Sequence, residues 1–144
     1  MELKNNEYFT PDIEDIRVGY ECEQSFITTY DAGTKSERVE ESWIPIIIQH
    51  IHNYQHPKIQ NPVYRVPYLT KEQIEAEGWE IKTDNNNGVI DFEKPKYCIL
   101  SWNYNLKIIE INDGKTTTRF DNQLYRGQCK DINTFRYICK LLGI

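Results

Sequence analysis

The sequence predicts an α+β fold, a single domain in which an antiparallel β-meander curls over a C-terminal helix and one short helix. Three observations predict it. Leu69-Thr70-Lys71-Glu72-Gln73-Ile74-Glu75-Ala76-Glu77-Gly78-Trp79 encodes a short helix with both its start and its stop. Apolar and polar residues alternate through the C-terminal half between turn signals. Ile132 to Leu142 has helical periodicity and closes the chain. One terminal and one short helix cannot cover a meander on both faces, so the sheet is expected to curl over them.

In chain order, residues 1 to 15 read as an extended lead-in with Pro11 and the acidic Asp12, Glu14 and Asp15. From Arg17 to Gln24, Val18, Tyr20 and Cys22 alternate with Gly19, Glu21 and Glu23, the period of a half-buried strand that Phe26 to Tyr30 extends or pairs with. Asp31 to Ser42 reads as a polar loop with an acidic patch at Glu37, Glu40 and Glu41. Trp43 to Ile51, rich in β-branched residues, reads as a buried strand. His52 to Pro62 is a second loop. Val63 to Tyr68 is extended, because Pro67 keeps its predecessor out of the helical basin.

In the short helix Thr70 caps the first turn and Gln73 returns the bond, while Leu69 and Ile74 have the spacing of a hydrophobic staple. Gly78 supplies a left-handed residue and Trp79 packs back on Ile74. Asp84-Asn85-Asn86-Asn87-Gly88 turns Trp79–Lys82 into Val89–Phe92, and Asn103-Tyr104-Asn105 turns Tyr97–Trp102 into Leu106–Ile111. Asp113-Gly114 leads to Thr116–Phe120, and Leu124 to Cys129 makes a further strand. Asp131 caps the last helix, whose Ile132, Phe135, Ile138, Leu141 and Leu142 share a face, and Gly143 ends it.

The chain has 144 residues, 17 Lys and Arg against 22 Asp and Glu, and a net charge of −5. Such a field repels phosphate backbones, so generic nucleic-acid binding is disfavoured. No window approaches the ~20 apolar residues of a membrane span, and the first residues lack the apolar core of a secretory signal. A soluble intracellular protein is expected. Cys22, Cys98, Cys129 and Cys139 are scattered without a C-x-x-C pair for a zinc ribbon or redox dithiol and, lying in apolar or alternating runs, read as free thiols that behave as small hydrophobes, with disulfides the alternative in an oxidising compartment.

Four constellations invite chemistry. His50, His52 and His56 are the three histidines of the chain, and two imidazoles on one strand face with a third nearby could hold a transition metal. No carboxylate or cysteine adjoins them in sequence, and polar loops also collect histidines. Glu21 and Glu23, ~6.5 Å apart on one strand side, suit an acid and base pair, though solvated strand faces carry such pairs routinely. Gly114-Lys115-Thr116 resembles the end of a phosphate loop, but Ile109 stands where the first glycine is required. Arg65, Arg119, Tyr125 and Arg126, with Tyr64, Arg136 and Tyr137, place guanidinium and aromatic groups side by side, chemistry suited to a small anionic, nucleotide-like ligand. Core tyrosines beside surface arginines make the same pattern without a ligand. No nucleophile elbow, H-E-x-x-H or dinucleotide fingerprint is present, so no catalytic residue is assigned and no cofactor is expected.

Tyr8-Phe9-Thr10-Pro11-Asp12-Ile13-Glu14-Asp15, Val18-Gly19-Tyr20-Glu21-Cys22-Glu23, Arg65-Val66-Pro67-Tyr68-Leu69, Leu124-Tyr125-Arg126-Gly127 and Leu141-Leu142-Gly143-Ile144, together with the helix ending Gly78-Trp79, resemble a family of small phage and prophage proteins of Bacteroidota with no assigned activity. The resemblance transfers no site residues. It implies a phage accessory protein in the bacterial host cytoplasm. The expectation is a non-catalytic binding protein that engages a host macromolecule or sequesters a small nucleotide-like ligand, with homo-oligomerisation left open. The alternative is a small metal-dependent hydrolytic enzyme using His50, His52 and His56.

Overall fold

The computed structural model describes residues 8–49, 64–94, 98–114 and 122–144. The protein is α+β, with two antiparallel sheets and two α-helices, one of them C-terminal. Its chain forms two compact units, Met1–Pro67 and Tyr68–Ile144.

The first unit is a four-stranded sheet in the order β1-β4-β2-β3, built from β1 (Tyr8–Phe9), β2 (Glu21–Tyr30), β3 (Arg38–Ile47) and β4 (Tyr64–Pro67), with a 3-10 turn at Ile13–Asp15. Tyr20, Cys22, Ile48, Tyr64 and Val66 form its buried cluster, against which Phe9, Ile16 and Ile46 pack. Three expectations are corrected here. The strand begins at Glu21 rather than Arg17, because Gly19 is left-handed (φ +87°) and a turn bond joins Tyr20 N–H to Arg17 O, which leaves Val18 exposed. The polar loop is shorter than Asp31 to Ser42: Arg38 onward is strand, drawn into a ladder whose last pair is Tyr30↔Arg38. Cross-strand pairing with the β-prone Phe26–Tyr30 run overrides the polar composition of the second strand. The stretch from Trp43 is strand only to Ile47 and is not uniformly buried, since Ile44 and Ile47 are exposed. The loop expected at His52 to Pro62 lies outside the described residues.

The second unit is a five-stranded meander, β5 (Glu80–Asp84), β6 (Val89–Lys94), β7 (Cys98–Asn103), β8 (Ile108–Asp113) and β9 (Gln123–Gln128), each strand beside its sequence neighbour. The helix α1 (Lys71–Ala76) starts as read from sequence: Thr70 Oγ1 accepts from Gln73 N–H at 3.2 Å and Gln73 Oε1 accepts from Thr70 N–H at 3.0 Å. Its stop is the left-handed Gly78, and Trp79 joins Ile74 in the core. The helix α2 (Ile132–Leu142) is capped by Asp131, whose carboxylate accepts from Thr134 N–H and Oγ1, both at 3.0 Å. Ile132, Phe135, Ile138 and Cys139 turn into the same core as Phe92, Leu100, Ile109 and Ile111. Leu141 does not: it is 67 % exposed, and Cys139 takes the inward place beside Ile138. The turn expected at Asn103–Asn105 runs on through Lys107, which is left-handed at φ 57°, so Leu106 belongs to the turn and not to β8. The strand expected at Thr116–Phe120 lies outside the described residues.

Candidate interaction surface

Side chains on a strand alternate between faces, so the ladders of the first unit sort its residues into two sets. Val66, Tyr64 and Cys22 line the buried face. Arg65, Glu23 and Trp43 fall on the other, as follows from the pairs Glu23↔Arg65, Glu23↔Pro45 and Ser25↔Trp43. There Arg65 is clasped. Its Nε donates to Glu23 Oε2 at 2.6 Å, and its guanidinium carbon lies 3.8 Å from the Tyr8 ring centre and 4.1 Å from that of Trp43. Four strands are thereby tied by one cation, with Tyr8 on β1, Arg65 on β4, Glu23 on β2 and Trp43 on β3. Glu23 is thus held in an ion pair with Arg65, which sets it apart from Glu21 as a member of an acid and base pair.

Beyond this clasp the sheet narrows. β4 pairs with β2 only at Glu23 and Gln24, so the pairs from Ser25↔Trp43 to Tyr30↔Arg38 form a two-stranded ribbon about 20 Å long. A lone ribbon is marginal in water and ordinarily needs a hydrophobic face covered. This one carries apolar side chains on both faces. Ile27 (68 % exposed) and Val39 (59 %) lie on one face, and Phe26 (43 %) and Tyr30 (40 %) on the other. The turn at its tip is nevertheless ordered by its own bonds: Asp31 O accepts from Thr34 N–H and Oγ1, and Glu37 Oε2 accepts from Gly33 N–H at 2.8 Å. Arg38 lies over Tyr30, 4.6 Å from the ring centre. Sequence reasoning missed this surface because Phe26, Ile27 and Tyr30 have the residue types of covered strands while Val39 stands in a stretch of polar composition, and exposure depends on what lies opposite.

Arg65, Tyr125 and Arg126 are otherwise distributed as their strands dictate. Tyr125 and Arg126 are neighbours on β9 and point to opposite faces. Tyr125 packs against the core of the second unit and donates its hydroxyl proton to Gln128 O at 3.2 Å, while the largely exposed Arg126 approaches Glu110 at 3.9 Å. Arg136 Nε bonds Glu77 Oε1 at 2.6 Å. Arg119, like His50, His52 and His56, lies outside the described residues.

Among the described residues no group of three His, Cys, Asp or Glu side chains could hold a metal ion. The four thiols are free and buried. Burial pushes the Cys22 and Cys139 thiols up to about 11 and Cys129 higher still, so these three are not set up as nucleophiles. No helix among the described residues is long and apolar enough to cross a membrane. No known protein family matches the chain, and no curated protein or solved structure is significantly similar to it.

Proposed function

We propose that this chain is a non-catalytic binding protein that engages a macromolecule through the β2–β3 ribbon, acting in the bacterial cytoplasm on a host component as the phage-like sequence pattern suggests. One observation carries the reading: an ordered ribbon extends past the sheet with exposed apolar side chains on both faces, where monomeric proteins ordinarily keep only scattered ones. The Arg65 clasp supports it, because it anchors the base of the ribbon to β1 and β4. The raised thiols and the paired Glu23 supply no competing chemistry.

The test compares the wild type with an Ile27→Ser/Val39→Ser variant of unchanged melting temperature in affinity capture from host lysate. A protein retained by the wild type and lost by the variant is the expected result. Capture indifferent to these substitutions removes the ribbon from the function. A nucleotide that raises the melting temperature of the wild type but not of Arg126→Ala would instead support small-ligand sequestration.

A further inference from the structure

We infer that the ribbon receives its partner as an added β-strand on the outer edge of β3, and that this partner is an extended cationic polypeptide segment. The inference rests on the ribbon being the binding element and names its occupant. Ile48 fixes the geometry. It donates its N–H to Tyr20 O at 3.0 Å, and its carbonyl accepts from Gly19 N–H at 2.7 Å, so Ile48 faces the strand leading into β2. An antiparallel ladder alternates residue by residue, and the β2–β3 register runs without a shift from Glu21↔Ile47 to Tyr30↔Arg38. The even-numbered residues of β3 therefore turn their backbone groups toward β2, and Val39, Glu41 and Trp43 turn theirs outward. Pro45 has the outward parity, which is where a residue without an N–H is tolerated on an edge strand.

Among the described residues β3 is the terminal strand of its sheet, so this outward edge has no partner strand there. Pro45 closes its basal end, leaving Val39 to Trp43 as the stretch able to accept a strand. Charge selects the occupant. Between Asp31 and Glu41 four carboxylates (Asp31, Glu37, Glu40, Glu41) stand against Lys35 and Arg38. Arg38 lies 3.7 Å from Glu40, and among the described residues no cation is within ion-pair range of Glu41. A second copy paired antiparallel about the middle of this stretch sets Glu40 against Glu40 or Glu41 against Glu41, a like-charge contact that sheets penalise. A strand with Lys or Arg opposite Glu40 and Glu41 and apolar side chains opposite Val39 and Trp43 satisfies both the edge and its charge.

The test titrates the full chain, isotope-labelled for amide exchange, with a capped peptide of about eight residues built around Val-Thr-Lys-Lys-Val, which in antiparallel pairing sets its two Lys opposite Glu41 and Glu40 and its two Val opposite Trp43 and Val39. The expected result is binding that slows exchange at Val39, Glu41 and Trp43, whose amides exchange quickly beforehand, with little change at Glu40 and Ser42. Val39→Pro removes one outward N–H and should weaken the peptide about tenfold or more while leaving the fold intact. Methylating alternate peptide nitrogens on unaltered protein should do the same, which guards against a misfolded variant. Glu40→Lys/Glu41→Lys should abolish binding of this peptide. Each of the following overturns the inference: an unchanged affinity for Val39→Pro and for the methylated peptide, equal binding of a Glu-for-Lys peptide, slow exchange at the three amides before addition, or protection that instead tracks self-association in sedimentation. Host capture lost in Ile27→Ser/Val39→Ser but kept in Val39→Pro would sink this inference alone. Capture kept in both would sink the functional reading on which it rests.

Discussion

Replacing Arg65 by Met keeps most of the side-chain stem and removes the guanidinium, which separates a structural arginine from one held for a ligand. The bond to Glu23 is short at 2.6 Å, and the two side chains are only 29 % and 19 % exposed, so solvent screens it weakly. A hydrogen bond between charged groups in such a place contributes about 1.5–3 kcal/mol, and each ring contact adds roughly 0.5–1 kcal/mol. Loss of the cation also leaves the Glu23 carboxylate half-buried and unpaired. The combined cost is about 3 kcal/mol, a fall of at least ~6 °C in melting temperature for a chain of this size. Arg65→Lys should recover little of it, because an ammonium cannot lie flat between two rings while bonding Glu23. In a double-mutant cycle with Glu23→Gln, measured by urea unfolding, the coupling should exceed ~1 kcal/mol. Arg65→Met melting within a degree or two of wild type, or additive effects of the two substitutions, would show that the clasp does not hold the four strands together.

Ile138→Ala should cost about 2–5 kcal/mol by opening a cavity in the core, whereas Leu141→Ala on the exposed side of the same helix should stay within about 0.5 kcal/mol, and equal melting points for the two would refute the packing of α2 on the meander. Thr70→Ala removes one half of the capping box and should cost about 1 kcal/mol, with Thr70→Ser close to wild type, as read by chemical denaturation. Stability should also fall in alkali. Burial raises the Cys22 and Cys139 thiols to about 11, while unfolded thiols titrate near ~8.5, so across that window the unfolded chain has released protons the folded chain retains. Tyr64 and Tyr125, also raised by burial, act in the same sense at higher pH. Urea midpoints should be flat below the window and decline through it, and midpoints constant across it would contradict the burial of these groups.

The second unit was largely legible in the sequence because its signals are local. Thr70 with Gln73, Asp131 with Gly143, and the Asn-rich turn ending at Gly88 each specify a boundary within a few residues. The meander also joins sequence neighbours, so its pairing involves no distant strand. The misreadings there are of a different kind. Leu141 and Cys139 are both apolar at near-helical spacing, and only the direction in which α2 meets the sheet decides which one turns inward. In the first unit β4 enters between β1 and β2 from far along the chain, and composition alone carries no trace of that order. The Arg65 clasp was unreadable for the same reason: Tyr8, Glu23, Trp43 and Arg65 are brought together by strand order rather than by spacing.

The reading of Trp43 onward as a buried strand failed for a more telling reason. Ile44 and Ile47, like Ile27 on the strand beside them, have the residue types that strands use when both faces are covered, and all three are exposed. A sequence pattern reports which side chains suit a dry environment, not whether the same chain supplies it. Where the chain supplies it, as at Leu100 or Ile109, pattern and burial agree. The ribbon combines an apolar pattern, an internally bonded tip, a base fixed by Arg65, and Pro45 at the one parity that spares the ladder to β2. An accidental excess of apolar residues on a loop would not require those accompaniments. On the reading proposed here the pattern was answering to a surface on another molecule, and the acidic Glu40 and Glu41 between the apolar positions keep the ribbon from closing on its own copies until a cationic strand arrives.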